Sequence, residues 1–322
     1  MPPGGPLKQQ EVFEAQARQC ETRSPLYARL LRAWADDAGV ASIVGTAPEW
    51  DTPLRLLGGM HYLVLAGEAR WEDSPVDHRE FLEAFVREFG VQTNEVQRSW
   101  SLAPLFCRVA ERTGNGVIDL IELGPSAGLN LVWDRYRCEY AAGALGPVGA
   151  QLVLRGEERR LVRGSLLECV PRVRHRIGID RQPIDVTMHA GVLLLKCWVW
   201  ADQVERLARL DTAIAAVRAD PPELIGGDFV EVLPEVLAKQ PIDALTVVFQ
   251  TAALGYVEPE GRERVRAALD QAGARLPLAF VTAGNPRTGI EDWGLRIVYW
   301  PGGSREFAGH ADYHGRWLDL EL

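Results

Sequence analysis

Residues 117–130 read Val-Ile-Asp-Leu-Ile-Glu-Leu-Gly-Pro-Ser-Ala-Gly-Leu-Asn. Val117–Leu123 is a short apolar run containing β-branched residues, the pattern of a strand covered on both faces. Gly124 and Gly128 then let the backbone turn sharply and lie close to a ligand. A helix start is expected directly after the turn. In open α/β folds, ligands bind in the crevice beyond the carboxyl ends of the parallel strands. This strand and turn therefore point both to a fold class and to a place for a site.

The turn does not carry a dinucleotide fingerprint. Counting from Gly124, that pattern needs Gly at 126 and 129, where the chain has Ser126 and Leu129. The phosphate-binding P-loop fails too, because no Gly-Lys-Ser/Thr follows. What remains is acid-x-Gly-x-Ser-x-Gly-x-Asn, running from Glu122 through Gly124, Ser126 and Gly128 to Asn130. It resembles the first motif of class I S-adenosylmethionine-dependent methyltransferases. That cofactor has no pyrophosphate, so a small Ser at the middle position is tolerable. The resemblance implies that Glu122 faces the cofactor's ammonium group, directly or through water.

Composition narrows the class. With 322 residues, the chain has room for two domains or one large domain with additions. Its apolar and charged contents are ordinary for a globular chain. The net charge of −9 disfavours a broad nucleic-acid surface. The five scattered cysteines include no C-x-x-C pair, which suits reduced thiols in a cytoplasmic protein. The most apolar stretch, Val192–Ala201, is too short to span a bilayer and contains Lys196. The expected partner is a small molecule, with neither membrane nor nucleic acid. Oligomeric state is not legible.

Before the organising strand the signal is helical. Residues 1–10 are Pro/Gly-rich and expected to be mobile. Ser24-Pro25 reads as a helix cap with Pro at the first position. Leu26, Leu30, Leu31 and Trp34 follow at helical spacing. A second helical segment spans Pro53–Ala66, with Gly58 and Gly59 suited to close helix contact and His61 reading as a core histidine. Phe81, Leu82, Phe85, Val86 and Phe89 form a third, core-facing stripe. Val91–Arg98 then packs Gln92, Thr93, Asn94, Glu95, Gln97 and Arg98 into one polar segment. Thr93 or Asn94 suits a helix cap, and Glu95 and Arg98 share a helical face. The competing reading is a polar lid over the cleft, with Gln92 and Asn94 on the substrate and Glu95 and Arg98 in catalysis.

Gln92-Thr93-Asn94-Glu95 with Arg98, then 121–131 with Trp133-Asp134-Arg135-Tyr136, resembles the bacterial family catalogued as domain of unknown function 2332. The likeness extends through Gly178-Ile179-Asp180 with Pro183, and Gly227-Asp228 with Leu233-Pro234. It covers nearly the whole chain and implies a fold and a site, but no reaction.

Downstream, residues 136–172 read as a β insertion, with Tyr136 in an aromatic-basic cluster suited to the substrate side. Val173–Ile179 reads as the second core strand, ending in Asp180. An acid there binds ribose hydroxyls in Rossmann-like sites, usually about 20 residues after the glycine turn. The longer gap leaves Glu139 as the alternative and a plain turn role for Asp180. Trp198–Ala219 reads as a helix, followed by a strand end at Leu224–Phe229. In methyltransferases an acid and an apolar residue here hold adenine, which fits Asp228 and Phe229. Asp243–Gln250 reads as a buried strand ending at Gln250-Thr251, where the fourth strand of methyltransferases presents catalytic or substrate groups; the resemblance implies Gln250 on the cofactor and Thr251 on the substrate. The Asp/Asn-Pro-Pro-Tyr tetrapeptide of amino-methylating enzymes is absent, which weighs against DNA-base methylation. A fifth strand, Leu278–Thr282, runs into Gly284-Asn285-Pro286. Two closing strands, Leu295–Trp300 and Arg316–Leu320, are joined by a Gly-rich loop. His310 and His314 lack an acidic third metal ligand but suit a general base, as do His189 and Glu95.

The expected architecture is an N-terminal helical domain (1–115) before a Rossmann-like, seven-stranded methyltransferase sheet (116–322). The leading function is methyl transfer from S-adenosylmethionine to a small or medium-sized metabolite. The alternatives are a non-catalytic nucleoside-binding sensor and a different reaction, such as oxidoreduction, on the same fold.

Overall fold

The computed structural model describes residues 8–45, 48–92, 94–284 and 293–322. The start at 1–7, Thr93, Asn285 and Pro286 lie outside the described residues. In chain order the elements begin with α1 (Gln9–Cys20), α2 (Pro25–Trp34), α3 (Ala38–Val44), α4 (Thr52–Ala66), α5 (Arg79–Glu88) and α6 (Arg98–Thr113). Next come β1 (Val117–Leu123), β2 (Arg137–Tyr140), β3 (Gly143–Leu145), β4 (Val153–Leu154), β5 (Glu157–Arg160), α7 (Gly164–Leu167) and β6 (Arg172–Asp180). Then follow α8 (His189–Cys197), α9 (Val204–Ala219), β7 (Glu223–Gly226), α10 (Phe229–Ala238), β8 (Leu245–Thr251) and α11 (Pro259–Gly273). The chain closes with β9 (Leu278–Ala283), β10 (Trp293–Trp300), β11 (Ser304–Ala311) and β12 (Trp317–Leu320).

Two compact units divide the chain at different points from the single boundary at 115 that the sequence suggests. One holds the residues up to Asn94 together with Asp185–Asp211; the other holds Glu95–Ile184 and Thr212–Leu322. α6 therefore belongs with the sheet, and the chain re-enters the helical unit after β6.

The helical unit packs Phe13, Leu31, Leu56, Leu57, Met60 and Leu82 into one fully buried core. Ser24 caps α2 by accepting from the Tyr27 N–H at 3.2 Å, with Pro25 at the first position. A Cβ on Gly58 would lie 2.7 Å from the Trp198 ring, and one on Gly59 2.8 Å from Leu82. The small residues thus admit bulky neighbours. The helix expected over Trp198–Ala219 is broken at 198–203, so that α8 ends at Cys197 and α9 begins at Val204. Trp198 fills the notch at Gly58 and meets Phe85 with ring centroids 5.5 Å apart.

The second unit is built on a mixed α/β sheet. Its nine strands run β5-β12-β11-β10-β9-β8-β1-β6-β7. β7, β6, β1, β8 and β9 are parallel, with β1 between β6 and β8. β10, β11 and β12 complete it as an antiparallel meander. The expectation of seven strands is corrected to nine among the described residues. The Gly-rich loop contains a whole strand, β11, and the insertion sends β5 to the sheet's edge beside β12. That edge strand reads Glu-Glu-Arg-Arg, a charged rim that discourages further strand pairing. The rest of the insertion forms a separate three-stranded sheet, β3-β2-β4. After β1 the helix, expected to be short or irregular beyond Asn130, is reduced to turns and one short 3-10 segment, Trp133–Arg135.

His61 sets a pH limit on the helical unit. Its Nδ1 lies 3.2 Å from the Cys197 carbonyl oxygen and 3.3 Å from the Tyr27 hydroxyl. A carbonyl only accepts, so Nδ1 carries the proton of the neutral ring. Burial pushes the His61 pKa down to about 4. A histidine depressed in the folded state adds stability that is complete above its unfolded value, near 6.5, and fades as pH falls toward the folded one. Within the acid titration of the full chain by circular dichroism, His61 should contribute a slope worth about 3 kcal/mol of lost stability between pH 6.5 and 4, which the protonation of Glu122 opposes over the same range. His61→Gln should flatten that slope; an unchanged slope would assign the acid sensitivity elsewhere.

Candidate functional site

The site assembles at the carboxyl ends of β1, β6 and β8. β1 is flanked on both sides, Glu122 pairing in register with Gly178 of β6 and Phe249 of β8. Its other acid, Asp119, is closed by a two-pronged ion pair with Arg174 at 2.9 and 2.6 Å. Glu122 has no such closure. It is 2% exposed, and its Oε2 has no hydrogen-bond partner among the described residues. Burial raises its carboxyl pKa to about 8; Arg98 pulls it down, Asp180 pushes it up and a hydrogen bond with Asn130 pulls it down. Asn130 is itself anchored, its Oδ1 accepting from the Ser99 hydroxyl at 2.8 Å.

The turn after β1 is left-handed at three places, Gly124 (φ 72°), Ser126 (φ 56°) and Gly128 (φ 76°). Such a φ is natural for Gly and costs Ser about 1–2 kcal/mol. Asp180 holds Ser126 there, its Oδ2 accepting from the Ser126 N–H at 2.8 Å. Asp180 Oδ1 accepts from the Gln182 N–H at 3.0 Å. Gly178 makes room for the turn: a Cβ there would lie 2.6 Å from the Pro125 ring. Tyr136 braces it from beneath, fully buried, with its hydroxyl donating to the Leu129 carbonyl at 2.7 Å.

Glu95 and Arg98 meet Tyr313 and His314, distant in sequence, in this unit. Glu95 Oε2 lies 3.4 Å from His314 Nδ1, and Glu95 Oε1 accepts from the Gln97 N–H. Arg98 donates from Nε to the Tyr313 carbonyl at 2.9 Å and from Nη1 to the Thr251 hydroxyl at 3.3 Å. Its guanidinium lies 4.5 Å from the ring centres of both Trp293 and Tyr313. Its Nη2 has no partner among the described residues. Asp312, 2% exposed, sets the loop that presents Tyr313 and His314 by accepting from the His314 and Arg316 N–H groups. Arg98 and Thr251 thus tie α6 to the end of β8.

Other predicted positions are placed as follows. Asp228 caps α10, accepting from the Val230 N–H, and pairs with Arg181 at 2.6 Å. Its burial favours the neutral form, but the Val230 and Arg181 bonds leave its pKa below the ordinary value. Phe229 is packed in the apolar cluster with Ile121, Leu123 and Ile179. Gln250 accepts from the Leu254 N–H at 3.3 Å, steadying the turn after β8. Glu139 sits on β2 between Arg137 and Arg155. His310 lies on β11 against Phe307. Gln92, Asn94 and His189 belong to the helical unit, where Asn94 donates to the Leu195 carbonyl.

Sequence reading missed Ser99, Trp293 and Tyr313. Ser99 extends the flagged polar run by one residue, a signal that was present. The two aromatics carry none, because only the fold brings them to Arg98.

Glu122 generates a pH prediction. An acid whose folded pKa is raised contributes stability that is complete below its unfolded value and lost as pH rises toward the folded one. Ligand-free protein should therefore weaken between about pH 4.5 and 8. Glu122→Gln should stabilise it by about 2–4 kcal/mol at pH 8 and little at pH 4.5, measured by urea unfolding. A variant less stable than the parent at pH 8 would show that the carboxylate is satisfied within the fold.

No helix among the described residues is long and apolar enough to cross a membrane. No group of three or more metal-ligating side chains occurs among them. No curated protein matches the chain. The family model described as "Uncharacterized protein conserved in bacteria (DUF2332)" matches residues 10–72 and 69–320. With nearly its whole length covered, the chain belongs to this bacterial family.

Proposed function

We propose that this protein transfers a methyl group from S-adenosylmethionine to a small or medium-sized metabolite. The observation that carries the reading is the incomplete Glu122 carboxyl at the end of β1, beside a left-handed turn of small residues. A buried acceptor without a donor suits a ligand ammonium group. The turn offers backbone without long side chains, which suits a nucleoside lying against it. Asp180 keeps unused lone pairs, since a carboxylate has about four acceptor sites and the chain uses one on each oxygen. Ribose hydroxyls fit there. When bound, the cofactor supplies an electrophilic methyl group on a sulfonium.

The chain's own work is then alignment and exclusion of water. Arg98, packed against the touching rings of Trp293 and Tyr313, and Thr251 fix one wall at the end of β8. Glu95, with Oε2 3.4 Å from His314 Nδ1, would stabilise the imidazolium formed if His314 takes a proton from a protonated nucleophile. A nucleophile with a free lone pair needs no such base.

A second reading, a module that binds its ligand without turnover, is favoured by the end of β8. Gln250 and Thr251, where catalytic or substrate groups were expected, are both engaged by the chain.

Calorimetric titration separates these. S-adenosylhomocysteine and S-adenosylmethionine should bind while NAD does not. The ammonium favours ionised Glu122, so binding should tighten as pH rises toward 8 and release a proton to the buffer. Tight binding of NAD alone defeats the reading. Binding without methyl transfer across a broad metabolite panel favours the sensor.

A further inference from the structure

Two buried groups of opposite charge in the sheet unit stop short of completing one another. Arg98 is 5% exposed and Glu122 2%. Each keeps one polar atom, Nη2 and Oε2, without a partner among the described residues. Burying a charge costs several kcal/mol unless it is paired. The same unit closes partly buried pairs elsewhere: Arg174 grips both oxygens of Asp119, and Arg176 both of Asp134. Glu122 feels the Arg98 charge, yet the two form no ion pair.

Each group is held by its own neighbours. Trp293 and Tyr313 each lie 4.5 Å from the Arg98 guanidinium. The Tyr313 carbonyl and the Thr251 hydroxyl take two further edges of it. On the other side, Asn130, itself held by Ser99, engages Glu122. Both charges are fixed before any ligand arrives, which lowers the ordering cost of binding.

A lone anion would satisfy Arg98 and be repelled by Glu122; a lone cation would do the reverse. A phosphate, with two charges, is disfavoured most. The group that completes both carries an ammonium beside a carboxylate. We propose that Arg98 and Glu122 form a clamp for an α-amino-acid zwitterion, with Arg98 Nη2 donating to its carboxylate and Glu122 accepting from its ammonium. Arg98 is thereby a specificity residue contributed by α6, outside the β1 turn. This inference rests on the proposed reading only for the nucleoside attached to that amino acid.

The test compares ligands on the full chain by calorimetry: S-adenosylhomocysteine, its decarboxylated analogue and free L-methionine. Loss of a charge-assisted hydrogen bond corresponds to about 10- to 100-fold in affinity. The parent protein should bind the decarboxylated analogue weaker by that factor. Arg98→Met should weaken S-adenosylhomocysteine by a similar factor and leave the analogue unchanged. Equal losses for both ligands, or none, overturn the clamp while the nucleoside reading stands. If no nucleoside binds but L-methionine binds in an Arg98-dependent way, the clamp stands and the nucleoside reading falls. Binding of neither defeats both. Should Arg98→Met fail to fold, the two analogues on the parent protein still decide the question.

Discussion

A carboxyl group is held at the end of a parallel strand with neighbours on both sides, and one of its oxygens is left without a donor. That is an expensive arrangement in a medium of low dielectric. The surroundings of Glu122 make sense as the means of sustaining it. Asn130 supplies one hydrogen bond and Arg98 a favourable field, while burial and Asp180 oppose ionisation. The strand cannot relax, because β6 and β8 fix its register. The turn cannot collapse onto the carboxyl, because Asp180 and Gly178 fix its path. A native fold that keeps such a group incomplete has a reason outside its own stability.

The two compact units respond oppositely to pH for one shared cause. Burial disfavours charge, so it depresses His61 and raises Glu122. Between about pH 4.5 and 6.5 the stability that one gains as the pH rises is lost by the other, and above that range only the Glu122 loss continues. His61 is completed inside its own core by Tyr27 and Cys197, whereas Glu122 is not. The first is therefore a structural histidine, and the second is the group we propose a ligand completes. Burial alone does not distinguish them; the unmet oxygen does.

Three of the parallel strands, β1, β8 and β9, were legible because strands covered on both faces read as continuous apolar runs, whereas β6 alternates Arg and His with apolar residues before its apolar end. β1, β6, β8 and β9 fall close to where the residues placed them. β11 was not legible, since Ser-Arg-Glu-Phe-Ala-Gly-His-Ala lacks both alternation and apolar length. Its pairing with β10 and β12 makes it a strand. The break before α9 depends on Trp198 meeting Gly58, a contact 140 positions apart that periodicity cannot see. In the site, unusual polarity between apolar helices did mark Glu95 and Arg98. Phe229 shows the limit of such reading: an apolar residue after an acid fits a ligand face or a core equally, and its ring lies in the core.

The most direct test of a ligand-completed carboxyl is a crystal structure of the full chain grown with S-adenosylhomocysteine. The ligand should lie over the turn at 124–128, its amino group within hydrogen-bond distance of Glu122 and its ribose beside Asp180. A ligand bound elsewhere, with Glu122 closed onto Arg98 or onto ordered water, would contradict the account.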